Sequence, residues 1–149
     1  MFELSEAPLD TANLLKLFES EIEGAGGIVT FTGLVRPDSR SGSVRSLLLQ
    51  AYSPMTERGI AANIEEAKRR WPLTGLNIVH RIGEMQPGET IVFVATASTH
   101  RRAAFESADF LMDYLKTEAI FWKRETTDTG EVWIEPRVQD YDDASRWNS

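Results

Sequence analysis

The chain has 149 residues, a formal net charge of −7, 26% charged and 42% hydrophobic residues, and no cysteine. That length and balance specify one globular domain able to bury about 68–70% of its unfolded surface, and exclude a disordered chain. The acidic charge excludes bulk binding to nucleic acid or an anionic membrane, and the missing thiols exclude disulfides, thiolate catalysis and cysteine-ligated metal.

The N-terminal run Met1-Phe2-Glu3-Leu4-Ser5-Glu6 lacks the basic region and apolar core of a secretory signal. No apolar run approaches the ~20 residues that span a bilayer, so a cytoplasmic location is expected. Pro8 to Glu23 reads as a helix: Asp10 or Thr11 caps it, Leu14, Leu15, Leu17, Phe18 and Ile22 form its apolar face, and Gly24 ends it. Gly24-Ala25-Gly26-Gly27 follows a helix and precedes the β-branched strand Ile28–Arg36. A dinucleotide loop requires the reverse order, so that reading is set aside. Pro37 to Ser43 has the composition of a mobile surface loop, a candidate for closing over a substrate.

A second strand covers Val44 to Tyr52, and Ser53-Pro54-Met55-Thr56-Glu57 opens a second helix, with serine as cap and proline in its first turn. Ile60, Ala61, Ile64 and Ala67 continue it to Lys68-Arg69-Arg70, cations that suit a helix C-terminus. Leu76–Ile82 is a third strand. Gln86-Pro87-Gly88-Glu89 fits a type II turn joining it to the apolar run Ile91–Ala97 as a hairpin. A third helix follows, with an apolar face through Phe105, Ala108, Leu111, Met112 and Leu115. Asp128-Thr129-Gly130 turns into a short strand, Val132 to Glu135, and the polar tail 138–149 orders only if it docks. About three helices mixed with hairpin-connected strands specify an α+β fold with a mixed or antiparallel sheet, as a single domain over 1–149.

One stretch stands out in this acidic chain. His100-Arg101-Arg102 sits at a strand-to-helix corner, where free N–H groups favour an anion and arginine adds bidentate donors. Pairing of those arginines with Glu106 or Asp109 is the alternative. Lys116 and Lys123, set against Met112, Leu115, Phe121 and Trp122, are placed where lost hydration lowers an amine's pKa toward that of a base or nucleophile. Snorkelling into solvent, or a helix pair between Asp113 and Lys116, is the alternative there. Arg102 and Lys116 project within about 40° of each other but roughly 21 Å apart along a helix, so they share one small ligand only if the surroundings fold back or a second chain brings the opposite end near.

Several blocks resemble the large, catalytic subunit of molybdopterin synthase: Gly27-Ile28-Val29-Thr30-Phe31-Thr32-Gly33-Leu34-Val35-Arg36, His80-Arg81-Ile82-Gly83-Glu84, Ser98-Thr99-His100-Arg101, Met112-Asp113-Tyr114-Leu115-Lys116-Thr117 and Phe121-Trp122-Lys123-Arg124-Glu125. They run in order from about Leu14 to Trp147. The resemblance implies an α/β hammerhead fold and a homodimer within a heterotetramer. Each large subunit would receive the C-terminal Gly-Gly tail of a small ubiquitin-like subunit that carries sulfur as a thiocarboxylate. Sulfur is then transferred to cyclic pyranopterin monophosphate, giving the dithiolene of molybdopterin, with no permanently bound cofactor and no metal. It further implies that Lys116 and Lys123 are catalytic, that Arg36, His100 and Arg101 hold the substrate phosphate, and that Arg124 and Glu125 extend the substrate-binding block.

One segment departs from the family. Gln50-Ala51-Tyr52-Ser53-Pro54 stands where an acidic residue and a histidine commonly precede Pro-Gly, and it reads as lying away from the lysine blocks. The rival from another class is a non-catalytic scaffold whose cations dock an acidic partner. An RNA-binding domain is disfavoured by the charge, and metal-dependent hydrolysis by the spacing of His80 and His100.

Overall fold

Two sheets and four α-helices make up the computed structural model, which describes residues 1–148. The first sheet has the order β1-β5-β7-β2, built from Phe2–Ser5 (β1), Leu73–Arg81 (β5), Thr90–Ser98 (β7) and Gly27–Leu34 (β2). Its β5, β7 and β2 strands are antiparallel neighbours, and β1 lies parallel to β5. The N-terminal strand is an addition to the expected elements. Four residues are too few for a period-2 pattern to register, and their pairing partner lies about 75 positions away.

Strand β7 is buried on both faces, as its continuous apolar run requires. Helix α1 (Thr11–Glu21) covers one face, where Phe18 packs on Val79, Phe93, Ala95 and Ala97. Helices α2 (Met55–Arg70) and α3 (Arg101–Thr117) cover the other, where Ile60, Ile64, Leu111 and Leu115 meet Ile78, Val92 and Val94. Burying each such side chain contributes roughly 1.5–3 kcal/mol. A Cβ at Gly75 would come within 2.5 Å of Ile22, so glycine there is what lets α1 approach β5. On α3 the buried stripe is Ala104, Ser107, Ala108, Leu111 and Leu115; Phe105, expected on this face, is 59% exposed, and Phe110 is buried instead.

The second sheet is antiparallel in the order β3-β4-β8-β9, from Asp38–Ser39, Gly42–Ala51, Phe121–Thr127 and Gly130–Trp133. It joins the first through β6 (Gly83–Met85), which leaves the β5–β7 hairpin to pair with β4. The turn that follows is as expected: the Glu89 N–H donates to the Gln86 carbonyl at 3.0 Å, and Gly88 takes φ +91°, open to glycine. The segment 37–43 is not a free loop. It forms a hairpin tied down by Ser39 Oγ to Glu125 Oε1 at 2.7 Å, Thr129 Oγ1 to the Ser41 carbonyl at 2.7 Å, and the Ser43 N–H to Asp128 Oδ1 at 3.1 Å. Polar residues that read as a mobile loop are here spent on cross-strand hydrogen bonds.

The block Phe121–Glu125 is the β8 strand, so Lys123 projects from a sheet. One further expectation is corrected. Residues Gln50 and Ala51 pair with Trp122 and Phe121, beside the lysine strand and not away from it. Thr56 reinforces that junction, accepting from the Tyr52 N–H at 2.8 Å and donating to the Ile120 carbonyl at 2.5 Å. No described helix is long and apolar enough to cross a membrane.

The tail docks as a fourth helix, α4 (Val138–Ser145), followed by a 3₁₀ turn over Arg146–Asn148. Trp147 packs edge-on against Trp71 and Phe110, with ring centroids 5.6 and 5.7 Å apart. The Asp113 carboxylate accepts from both Arg146 Nη2 and Trp147 Nε1 at 2.7 Å. Removing that one acceptor by Asp113→Ala should lower stability by about 1–3 kcal/mol in urea unfolding and accelerate tryptic cleavage at Arg137. Cleavage at the wild-type rate would show that this contact does not hold the tail.

Candidate functional site

The C-terminal end of α3, the start of β8, the segment after β9 and the first turn of α4 enclose a cleft of about 420 Å³. Helix α3 supplies Lys116 and β8 supplies Lys123. Trp133 closes β9, the stretch after it supplies Glu135 and Arg137, α4 supplies Asp140 and Tyr141, and Arg36 enters from just past the end of β2. Arg36, Lys116, Lys123 and Arg137 against Glu135 and Asp140 give four cations to two carboxylates, with the lysines protonated. A chain of net charge −7 thus presents a locally cationic hollow, suited to an anionic ligand.

Strand geometry fixes Lys123. Leu49 lies opposite it on β4, and the Lys123 carbonyl accepts from the Ile134 N–H at 2.9 Å, so flanking segments hold the Lys123 backbone on both sides. Burial is the main force lowering its pKa, to about 8, and the like charge of Lys116 lowers it further. Asp140 and Glu125 oppose the shift, and Arg36 adds to it. Lys116 keeps an accessible surface at the cleft mouth, yet protein displaces enough of its hydration to lower its pKa too. Asp140 opposes that shift, while Arg36 and Arg137 add to it. Asp113, the expected helix partner of Lys116, is committed to Arg146 and Trp147. Amines that give up their proton more readily than a solvated lysine are the chemical product of this packing.

His80 backs the cleft. Its ring stacks on Phe121 at 4.4 Å, and Nδ1 lies 2.9 Å from the Arg81 carbonyl, which can only accept, so Nδ1 carries the proton. Burial, then the nearby Lys123 and Lys116, push its pKa down to about 4, leaving it neutral beside the lysines. Sequence reading placed His80 in a motif without a role. The sequence gives Arg137 and Asp140 no evident role, because they fall in a tail whose composition reads as solvated; a basic and an acidic residue three apart at a helix start is the signal it does carry.

The remaining expected residues divide. Arg36, Lys116 and Lys123 come together in the cleft. Glu125 lies one strand repeat beyond Lys123 and accepts from Ser39 Oγ, close enough for its charge to act on Lys123. Arg124 does not line the cleft; it sits over the Trp133 ring at 5.8 Å and near Glu131 at 3.9 Å. His100 and Arg101 are exposed at the opposite end of α3, roughly 22 Å from Lys116 by helical rise. Among the described residues neither Arg101 nor Arg102 forms an ion pair, and Asp109 pairs with Arg146 at 3.1 Å instead. No group of three carboxylate or imidazole side chains gathers among the described residues as a metal site.

The model of the MoaE protein family matches residues 4–118. The molybdopterin synthase catalytic subunit of Escherichia coli K12 is 49% identical over 128 residues, covering 86% of this chain and 85% of that protein. The solved structure of a molybdopterin biosynthesis MoaE protein from Burkholderia ambifaria superposes with a TM-score of 0.82 at 38% identity, covering 100% of this chain and 98% of that one. That of molybdopterin synthase from Staphylococcus aureus gives 0.80 at 30% identity, covering 89% and 96%.

A lysine buried with a lowered pKa destabilises its own fold below that pKa. The unfolded chain binds more protons between pH 8 and 10.5, so wild-type stability should rise with pH across that window. Lys123→Met, of similar length and uncharged, should therefore gain on the order of 1–3 kcal/mol at pH 7 in urea unfolding, with the gain gone above pH 10.5. A variant less stable than wild type at pH 7 would contradict the burial account.

Proposed function

The chain belongs to the MoaE family, and on that premise we propose that it is a molybdopterin synthase catalytic subunit. It transfers sulfur from the C-terminal thiocarboxylate of a small ubiquitin-like subunit to cyclic pyranopterin monophosphate. The observation that carries this reading is the pair of pKa-lowered lysines beside Arg36 in one cationic cleft. The substrate brings a phosphate, and the carrier tail brings an anionic sulfur. Both suit a cleft with an excess of cations, and neither needs a resident cofactor or metal.

Roles follow from position. Arg36 and Arg137, whose guanidinium groups offer bidentate donors, hold the phosphate. Lys116, at the accessible mouth, donates a hydrogen bond to the thiocarboxylate carbonyl oxygen while the sulfur attacks the pterin side chain. Water then cleaves the acyl–sulfur bond, leaving sulfur on the pterin and a carboxylate on the carrier, and a second charged carrier repeats the step. Lys123, the more deeply set amine, moves the protons needed to open the cyclic phosphate and to lose water. Glu125 supports Lys123 through its charge, and Arg124 supports the β8–β9 wall through Trp133.

His100 and Arg101 cannot reach this cleft from their own chain. A homodimer that sets one subunit's α3 corner against the other's cleft would use both, and two carriers would complete a heterotetramer. Mixing Lys116→Ala with Arg101→Ala subunits tests that arrangement. Each variant alone should be impaired, and the mixed dimer should regain one sound site in two; no recovery would count against a shared site.

The reaction itself is tested with a thiocarboxylated small subunit and the cyclic pterin, following dithiolene product by mass. The rate should rise with pH, reaching half its maximum near 8 and levelling off above it, as the free amine of Lys123 accumulates. Lys123→Arg should lose at least about 100-fold, because a guanidinium cannot release its proton. Full activity in that variant would favour a scaffold that only docks an acidic partner.

A further inference from the structure

Asp140 lines the cleft, and the proposed reaction leaves its carboxylate unused. The residue is only 8% exposed, an unusual place for a carboxylate unless it is paired. The pairing is to α4's own start. Asp140 Oδ2 accepts from the Arg137 N–H at 2.9 Å, and Oδ1 accepts from Arg137 Nη2 at 3.1 Å. The Asp140 N–H donates back to the Arg137 carbonyl at 3.0 Å. One carboxylate thus fixes both the backbone and the guanidinium of a residue that lines the cleft opposite the amines.

We infer that Asp140 is a positioning residue of the cleft, which aims the Arg137 guanidinium and supplies the counter-charge to the Lys116 and Lys123 ammonium groups. Six other charged or titratable groups face those amines: Arg36 from the end of β2, His80 from β5, Glu125 from β8, Glu135 and Arg137 from the segment after β9, and Tyr141 from α4. His80 is neutral, Arg36 and Arg137 are fixed cations, and Glu125 shares its carboxylate with Ser39 Oγ. Asp140 raises the proton affinity of both lysines. Without it, two adjacent ammonium groups would repel each other beside two guanidiniums. The residue reaches this place only because the C-terminal helix docks, through Asp113 and Trp147.

The role attributed to the amines rests on the sulfur-transfer reading, but the device can be measured without substrate. The chain has four lysines, Lys16, Lys68, Lys116 and Lys123, so ¹³C-lysine NMR resolves them once Lys→Arg variants assign the signals. Asp140→Asn keeps an oxygen to accept the Arg137 N–H and removes the charge. Both cleft lysines should then titrate lower, by about half a pH unit or more, with Lys16 and Lys68 unmoved. Arg137→Gln removes a neighbouring cation and should shift Lys116 the other way, upward. Opposite shifts from the two variants support the inference, because a general loosening of α4 would move the lysines in one direction for both. Unmoved lysines, or shifts of the same sign, overturn it. Asp140→Glu should restore the wild-type midpoints, and its failure to do so also counts against the inference. If the titrations behave as expected while wild-type protein transfers no sulfur, the sulfur-transfer reading fails and the positioning role stands.

Discussion

Two amines brought into one cleft repel each other and lose hydration, and much of the surrounding structure answers that cost. Burial and mutual repulsion lower the proton affinity of Lys123 to near pH 8, whereas Asp140 and Glu125 keep the fall from going further. An isolated lysine on a helix surface would keep its ordinary pKa and serve only as a point charge. Placed between a β-strand, a docked helix and a neutral imidazole, the same side chain becomes an acid or base usable in neutral water.

Holding that arrangement takes both sheets. The β4–β8 pairing sets the phase of Lys123, since a slip of one residue would turn it to the face that Trp122 and Arg124 now occupy. Lys116 takes its position from α3, which is anchored by Leu111 and Leu115 on β5 and β7. Between them lies Phe121, stacked on His80, so the core of the first sheet backs the cleft on the second. The fourth wall comes last in the chain. It depends on Trp147 wedging between Trp71 and Phe110, while Asp113 receives the two donors beside it. Aspartate at 113 is therefore a structural residue of the tail and not the partner of Lys116.

Much of this was legible from residues alone. The helices α1, α2 and α3 follow apolar spacing, and the β5–β7 hairpin follows from a proline–glycine turn and a buried apolar run. The lysines stood out because they adjoin aromatic and aliphatic neighbours, and Arg36 because of its motif. What stayed hidden had short-range patterns that mislead. A four-residue strand has too few positions to show alternation, and the hairpin over 38–43 carries serine, glycine and arginine in a mixture that equally suits a solvated loop. The strand Phe121–Thr127 carries charged and polar residues that hide its alternation. Phe105 shows the same limit: it has the right spacing for the core, yet the face that α3 turns to the sheet is set by Ala104, Ala108 and Leu111.

The sequence by itself determined the local elements, the acidic surface and the chemical identity of the groups available for anion binding and proton transfer. Their family resemblance, too, is written in ordered blocks of residues. Only the tertiary structure decided which of these groups meet. It joined Arg36, Lys116 and Lys123 to Arg137 and Asp140 across roughly a hundred positions of chain, and it left His100 and Arg101 at the far end of α3. The physical reason is that proximity here is created by strand register and helix docking, both set by long-range burial, while sequence spacing reports only on neighbours within a turn or a strand repeat.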